Sequence, residues 1–247
     1  CTCIIYIFNN SVIILCQSIS SGSKIRIDQS NTSAGTARII LAGKGNYGGN
    51  KTVSFTIQKS DLNNLPLLDV KVGEATYTSR KQLPSVTVTY GDNSMALVPE
   101  KDIVLEYYTD ANYQFAAQDK DLTNAGETYV KISGQGNYTG VLLTATLKEK
   151  NKFTIKPRDI SETIVSLEGQ TYVYSDVLTA SKIPDFTVRY QYAQGSYYTL
   201  QMGYDYTINP TRKDYTIGET QLEIEANAAN LSGNFTASKT VTYYYCG

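Results

Sequence analysis

Apolar and polar residues alternate with period two in many short runs, and no run sustains a helical period. The clearest are Val53-Ser-Phe-Thr-Ile57, Val86-Thr-Val-Thr-Tyr90, Thr128-Tyr-Val-Lys-Ile-Ser133, Leu143-Thr-Ala-Thr-Leu147 and Thr240-Val-Thr-Tyr-Tyr244. Period two places one set of side chains against a core and the other in water, so each run predicts a half-buried strand. Clusters of Gly, Asn, Asp and Ser between the runs predict tight turns. Only Tyr113-Gln-Phe-Ala-Ala-Gln118, inside an inserted loop, reads as a single helical turn. The apolar stretch from Cys3 to Cys16 is too short to span a membrane and lacks the basic start and cleavage site of a signal peptide. Asn9-Asn10-Ser11 divides it, so it reads as strand, turn, strand.

The runs belong to a longer repeat. Gly43-Lys-Gly-Asn-Tyr-Gly-Gly49 returns as Gly134-Gln-Gly-Asn-Tyr-Thr-Gly140 and, in worn form, as Asn227-Ala-Ala-Asn-Leu-Ser-Gly233. This alignment makes Asn46, Asn137 and Asn230 equivalent and replaces the Tyr by Leu231 in the third copy. Each copy follows a step into Gly, with a small residue before it at Ala34-Gly35 and Ala125-Gly126 and Ile in its place at Ile217-Gly218. Each is read as leading into a closing strand, respectively Val53–Ile57, Leu143–Leu147 and Thr240–Tyr244. A period of about ninety residues exceeds a solenoid unit and suits one small β-sandwich per copy. In the motif, Gly and Asn supply positive φ for the turn, and the Tyr folds back over the end of the core.

The repeat sets the expected organisation. Residues 1–59 are the later part of a first copy, 60–157 a complete second and 158–247 a third. Short polar joints, Gln58-Lys-Ser-Asp-Leu62 and Ile155-Lys-Pro-Arg-Asp-Ile160, make a semi-stiff string. The chain is expected to begin inside a domain, as a piece of a longer protein. A two-residue Asn9-Asn10 turn pairs Phe8 with Ser11 in a hydrogen-bonded site and, five pairs further out, Cys3 with Cys16 in a non-hydrogen-bonded site. The Cα separation of such a site, roughly 4.5 Å, admits a disulfide, and Cys3–Cys16 is the expected one.

Composition removes several function classes. The 22 basic and 23 acidic residues leave no basic surface for nucleic acid or anionic membrane. There is no His, no zinc-spaced Cys cluster and no nucleophile elbow, so neither catalytic residues nor a metal or cofactor site is expected. Asp110, Asp119, Asp121 and Glu127 gather around the inserted loop, but in no calcium-loop spacing. Among 21 tyrosines, Tyr197 and Tyr198 on a hairpin are the candidate ligand contacts, although strand neighbours face opposite sides. Glycosylation sequons fall at Asn9, Asn31, Asn50, Asn137, Asn230 and Asn234.

These residues resemble the tandem immunoglobulin-like repeats of bacterial cell-surface proteins. The likeness rests on Val86-Thr-Val-Thr-Tyr90, Tyr204-Asp-Tyr-Thr-Ile208, Asn124-Ala-Gly-Glu127, Gly134 to Gly140 and Phe153-Thr-Ile155. It implies an all-β fold of tandem immunoglobulin-like β-sandwich domains, extracellular and displayed on a cell surface. The implied function is a non-catalytic stalk or adhesin segment whose partner is a host or matrix protein or a glycan. The second reading is an accessory carbohydrate-binding or spacer module of a secreted polysaccharide-degrading enzyme.

Overall fold

Thr, Val, Ile and Tyr crowd side chains against a helical backbone but fit a pleated one, and the chain follows that preference. A computed structural model describes residues 3–8, 11–16, 24–27, 32–42, 48–143, 147, 149–167, 186–209, 218–227 and 233–245, with the backbone alone for 3–27, 41, 167, 218–220 and 243–245. The described chain is all-β, in several small sheets, with two short 3-10 helices at Leu62–Asn64 and Ile160–Glu162. It falls into two compact units. The first comprises Cys1–Asp69, Val88–Leu105 and Ile132–Thr146, and the second Val70–Thr87, Glu106–Lys131 and Leu147–Gly247. The joints expected near residues 58–62 and 155–160 therefore lie within units, one in each.

In the first unit, strand Gly35–Ala42 runs antiparallel between Lys24–Ile27 and Asn50–Ile57. Its register starts at Gly35 opposite Ile57, and alternate residues Ala37 and Ile39 are buried. The hairpin Cys3–Phe8 and Ser11–Cys16 has the expected register, with Phe8 opposite Ser11 and Cys3 opposite Cys16. Met95–Leu97 returns along Val88 to Tyr90 after a four-residue turn. Leu62, Val88, Leu97, Ile103, Ile132 and Leu142 supply buried apolar side chains.

In the second unit, strand Lys152–Lys156 lies antiparallel to residues 126–129 and parallel to Ala75–Thr76. Ile164–Leu167, Phe186–Ala193 and Ser196–Thr199 form a three-stranded sheet in that order. Tyr206–Ile208, Gly218–Ala226 and Ser238–Tyr245 form another. The register of the last pair begins with Gly218 opposite Tyr245, matching Gly35 opposite Ile57 and Gly126 opposite Ile155. All three steps into Gly thus open a strand that pairs with the closing strand of its own copy.

Two sequence expectations are corrected here. The closing strand of the second copy is Lys152–Lys156, not Leu143–Leu147. Phe153 and Ile155 send two side chains into the core, whereas Leu143 is 59% exposed. A turn through Glu149, with a positive φ of 65°, brings residue 152 into line. Nor does Tyr113–Gln118 form a helical turn. Asp110 gathers the backbone N–H groups of Asn112, Gln114 and Phe115 instead, at 2.8–3.2 Å, and Tyr113 takes a positive φ of 58°. An Asp side chain that satisfies successive backbone donors competes directly with the helical ladder.

Candidate functional site

The repeated motif makes its contacts at the two segments that the sequence reads as joints. In the first unit, Tyr138–Thr139 forms a short parallel ladder with Ser60–Asp61, the start of the second copy. The Ser60 N–H donates to the Asn137 carbonyl at 2.9 Å. The Asn137 side chain reaches further: its Oδ1 accepts the Ala34 N–H at 2.8 Å, from the Ala-Gly corner of the first copy. Asp61 then caps the following 3-10 helix through the Asn63 N–H at 2.9 Å, and Leu62 plugs the core. Such a cap satisfies donors that the short helix leaves open.

The second unit builds the same joint with other residues. Phe235–Thr236 runs parallel to Arg158–Asp159, and the Arg158 N–H donates to the Asn234 carbonyl at 2.9 Å. Asn234 Oδ1 accepts the Ala125 N–H at 2.7 Å, and its Nδ2 donates to Asn124 Oδ1 at 3.1 Å. Asp159 caps its helix through the Ser161 N–H at 2.8 Å, and Ile160 plugs the core.

The third copy of the motif is therefore Gly233-Asn-Phe-Thr236, which corrects the alignment on Asn230 and Leu231. Those two residues lie outside the described ones. Gly136 and Gly233 share a positive φ, 61° and 57°, and so do Gly140 and Ala237, 85° and 62°. Upstream, Gln135 donates from N and Nε2 to the carbonyls of Asp102 and Glu100, and Asn227 donates from N and Nδ2 to those of Asp205 and Gly203. The offset is thus 92 at that step (135 to 227) but 97 at the asparagine (137 to 234). Five residues are inserted, and the aromatic is retained as Phe235 rather than lost.

Ala237 holds a backbone conformation that costs an L-residue about 1–2 kcal/mol, while Gly costs about 0.5–1 kcal/mol in chain entropy. Ala237→Gly is therefore expected to stabilise the protein by about 0.5–1 kcal/mol. A thermal melt reads this as a raised midpoint.

An aromatic nest backs the second joint. Tyr77 and Phe235 meet edge to face with centroids 5.4 Å apart, and Tyr190 and Tyr198 close the group at 5.6 Å from each other. The Arg158 guanidinium lies 4.6 Å from the Tyr190 ring centroid, and its Nε donates to the Tyr77 carbonyl at 2.9 Å. In the first joint Tyr90 and Tyr138 make the matching edge-to-face pair, and their hydroxyls bond at 2.8 Å. Phe235 has no hydroxyl to offer Tyr190, whose own hydroxyl is buried without a hydrogen bond.

Burial first, and then Tyr190 and Asp205, push the Tyr77 phenol up to about 12. Burial, followed by Asp205, also raises Tyr198. A phenol ionising near 10 in the unfolded chain and higher when folded contributes its full stability below pH ~10. That stability is lost as pH rises from about 10 through the folded value of about 12. Tyrosinate absorbance at 295 nm and circular dichroism should therefore change together in this window.

The candidate ligand pair does not act as one platform. Tyr197 is 42% exposed, and the Arg189 guanidinium lies 4.8 Å from its ring centroid. Tyr198 turns to the other face, joins the nest and donates to Asp205 Oδ2 at 3.1 Å. Cys3 and Cys16 are register partners, but their side chains lie outside the described residues. The acidic groups around the inserted loop have local partners. Asp110 and Asp121 accept backbone N–H groups, while Asp119 pairs with Lys81 at 2.7 Å and Glu127 with Lys152 at 3.1 Å. Among the described residues, no group of three or more His, Cys, Asp or Glu could hold a metal ion, and no helix is long and apolar enough to cross a membrane.

Sequence reasoning found the motif but not its use. A side-chain amide that reaches back 103 or 109 residues leaves no local signal. The one available clue was the second Gly-Asn-aromatic-Thr string at residues 233–236, itself a sequon like Asn137-Tyr-Thr139. Compared with protein-family models, with curated proteins and with solved structures, the chain matches none of them at a significant level.

Proposed function

We propose that this chain is a non-catalytic structural and adhesive segment of an exported bacterial surface protein. It consists of three immunoglobulin-like sandwich copies bounded near residues 59 and 157, the first of them partial. The observation that carries this reading is the joint built twice with the same contacts. A stalk needs successive domains held in a fixed head-to-tail relation, and Asn137 and Asn234 each tie a loop to a backbone corner of the preceding copy. A Cys3–Cys16 disulfide across the first hairpin suits an oxidising exterior. The partner of such a segment is a host or matrix protein or a glycan.

The second reading, an accessory module of a polysaccharide-degrading enzyme, draws on exposed Tyr197 with Arg189 beside it. An aromatic face flanked by a guanidinium presents both stacking and hydrogen-bonding chemistry to a sugar.

Antibody against this chain, applied to intact and to lysed source cells, tests the surface assignment. Labelling of intact cells supports it, and labelling only after lysis rejects it. Glycan-array binding that is abolished by Tyr197→Ala would favour the accessory module.

A further inference from the structure

The two joints share Gly-Asn-aromatic-Thr on one side and, on the other, Ala-Gly and the capping Asp61 or Asp159, and little sequence beyond these. Ser60 in one ladder is Arg158 in the other, and the loop of the third copy carries five more residues. Asn137 is exposed, whereas Asn234 is 95% buried. Despite these differences the amide oxygen finds the same backbone N–H at 2.8 and 2.7 Å. A loop shaped only by its own turn chemistry would move when lengthened. This one keeps its tip in place, so the tip is positioned by what it touches.

We propose that the Gly-Asn-aromatic-Thr loop is a docking key for the Ala-Gly corner of the preceding copy. The partner it fits is another copy of the same unit, approached through the end where the closing strand leaves. Asn reads the backbone N–H just before the strand-opening Gly. The aromatic ring packs on rings of its own copy, Tyr90 in one joint and Tyr190 and Tyr198 in the other, where it also meets Tyr77 of the preceding copy, and the two-residue ladder fixes the direction of approach. The contact ties the fold of the later copy to the stability of the corner in the earlier one, and linkage makes that coupling reciprocal.

The inference rests on the array reading, and its test is separate from that of surface location. Amide hydrogen exchange is followed on the full chain for the wild type, Asn137→Ala and Asn234→Ala. The expected result is exchange faster by roughly fivefold or more at Ala34 in the first variant and at Ala125 in the second. Each variant should leave the corner of the other joint unchanged.

Asn137→Asp keeps the acceptor oxygen at an exposed position and should restore the protection at Ala34. Asn137 is exposed, so its variants report even if the Asn234 variants fail to fold. Unchanged exchange at both corners, or a uniform rise across the chain, overturns the docking key. Failure of surface labelling with the exchange pattern intact removes the surface assignment and leaves the docking key standing.

Discussion

Replacing Phe235 by alanine is expected to remove about 3–5 kcal/mol of stability from the second unit, the range for emptying a buried aromatic site. Phe235 is 9% exposed and meets three rings, Tyr77, Tyr190 and Tyr198, at centroid distances of 5.4, 6.0 and 6.4 Å. None of the three can collapse into the vacated space easily. Tyr77 is tied through its backbone to Lys156 and Arg158, and Tyr198 through its hydroxyl to Asp205. Asp205 is 2% exposed and also accepts the Gln201 N–H at 2.8 Å, so moving Tyr198 would strand buried polar atoms. The matching Tyr138→Ala should cost less, because Tyr138 is only half-buried and has Tyr90 as its ring partner. Urea unfolding monitored by tyrosine fluorescence separates the cases. A loss below about 1 kcal/mol for Phe235→Ala would show that the ring is not packed as described.

Gly134→Ala is the second large effect, about 3 kcal/mol, at the upper end of the range for overpacking a tight site. A Cβ at position 134 would stand 2.5 Å from the Thr139 nitrogen and 2.7 Å from its Cα, and backbone cannot rotate away as a side chain can. The Gly134 N–H also donates to the Gly140 carbonyl at 2.8 Å, closing the loop at its base. The substitution therefore pushes Thr139 off its ladder with Asp61 and carries Asn137 away from Ala34. The expected signature is a lowered unfolding midpoint together with lost exchange protection at Ala34. In the third copy an alanine, Ala226, stands where Gly134 does, and there five extra residues separate it from the asparagine. A variant as stable as the wild type would mean that the loop is free to shift at its base.

Local pattern accounted for strands and hairpins with some fidelity. With only two residues between Phe8 and Ser11 the expected register left no freedom in pairing, and Cys3 does stand opposite Cys16. Gly35, Gly126 and Gly218 each open a strand. The same reasoning misplaced Leu143–Leu147 as a closing strand. Period two describes the faces of a strand but not whether a neighbouring edge is open to pair. It also chose Asn230 over Asn234, because Asn227-Ala-Ala-Asn-Leu-Ser-Gly233 mimics the motif's spacing and an insertion has no hydrophobic signature.

By itself the sequence determined the all-β character, the recurring unit and the chemistry at the turns, since propensity, alternation and φ preference act over a few neighbouring residues. Only the tertiary structure decided which asparagine belongs to the motif, which of two candidate runs, Leu143–Leu147 or Phe153–Ile155, closes the second copy and what the motif touches. Those choices rest on a side-chain amide meeting a backbone N–H more than a hundred residues away, and on rings brought together from Tyr77, Tyr190 and Phe235. Contacts of that kind are selected by the shape and hydrogen-bonding needs of the folded chain, and spacing along the sequence does not encode them.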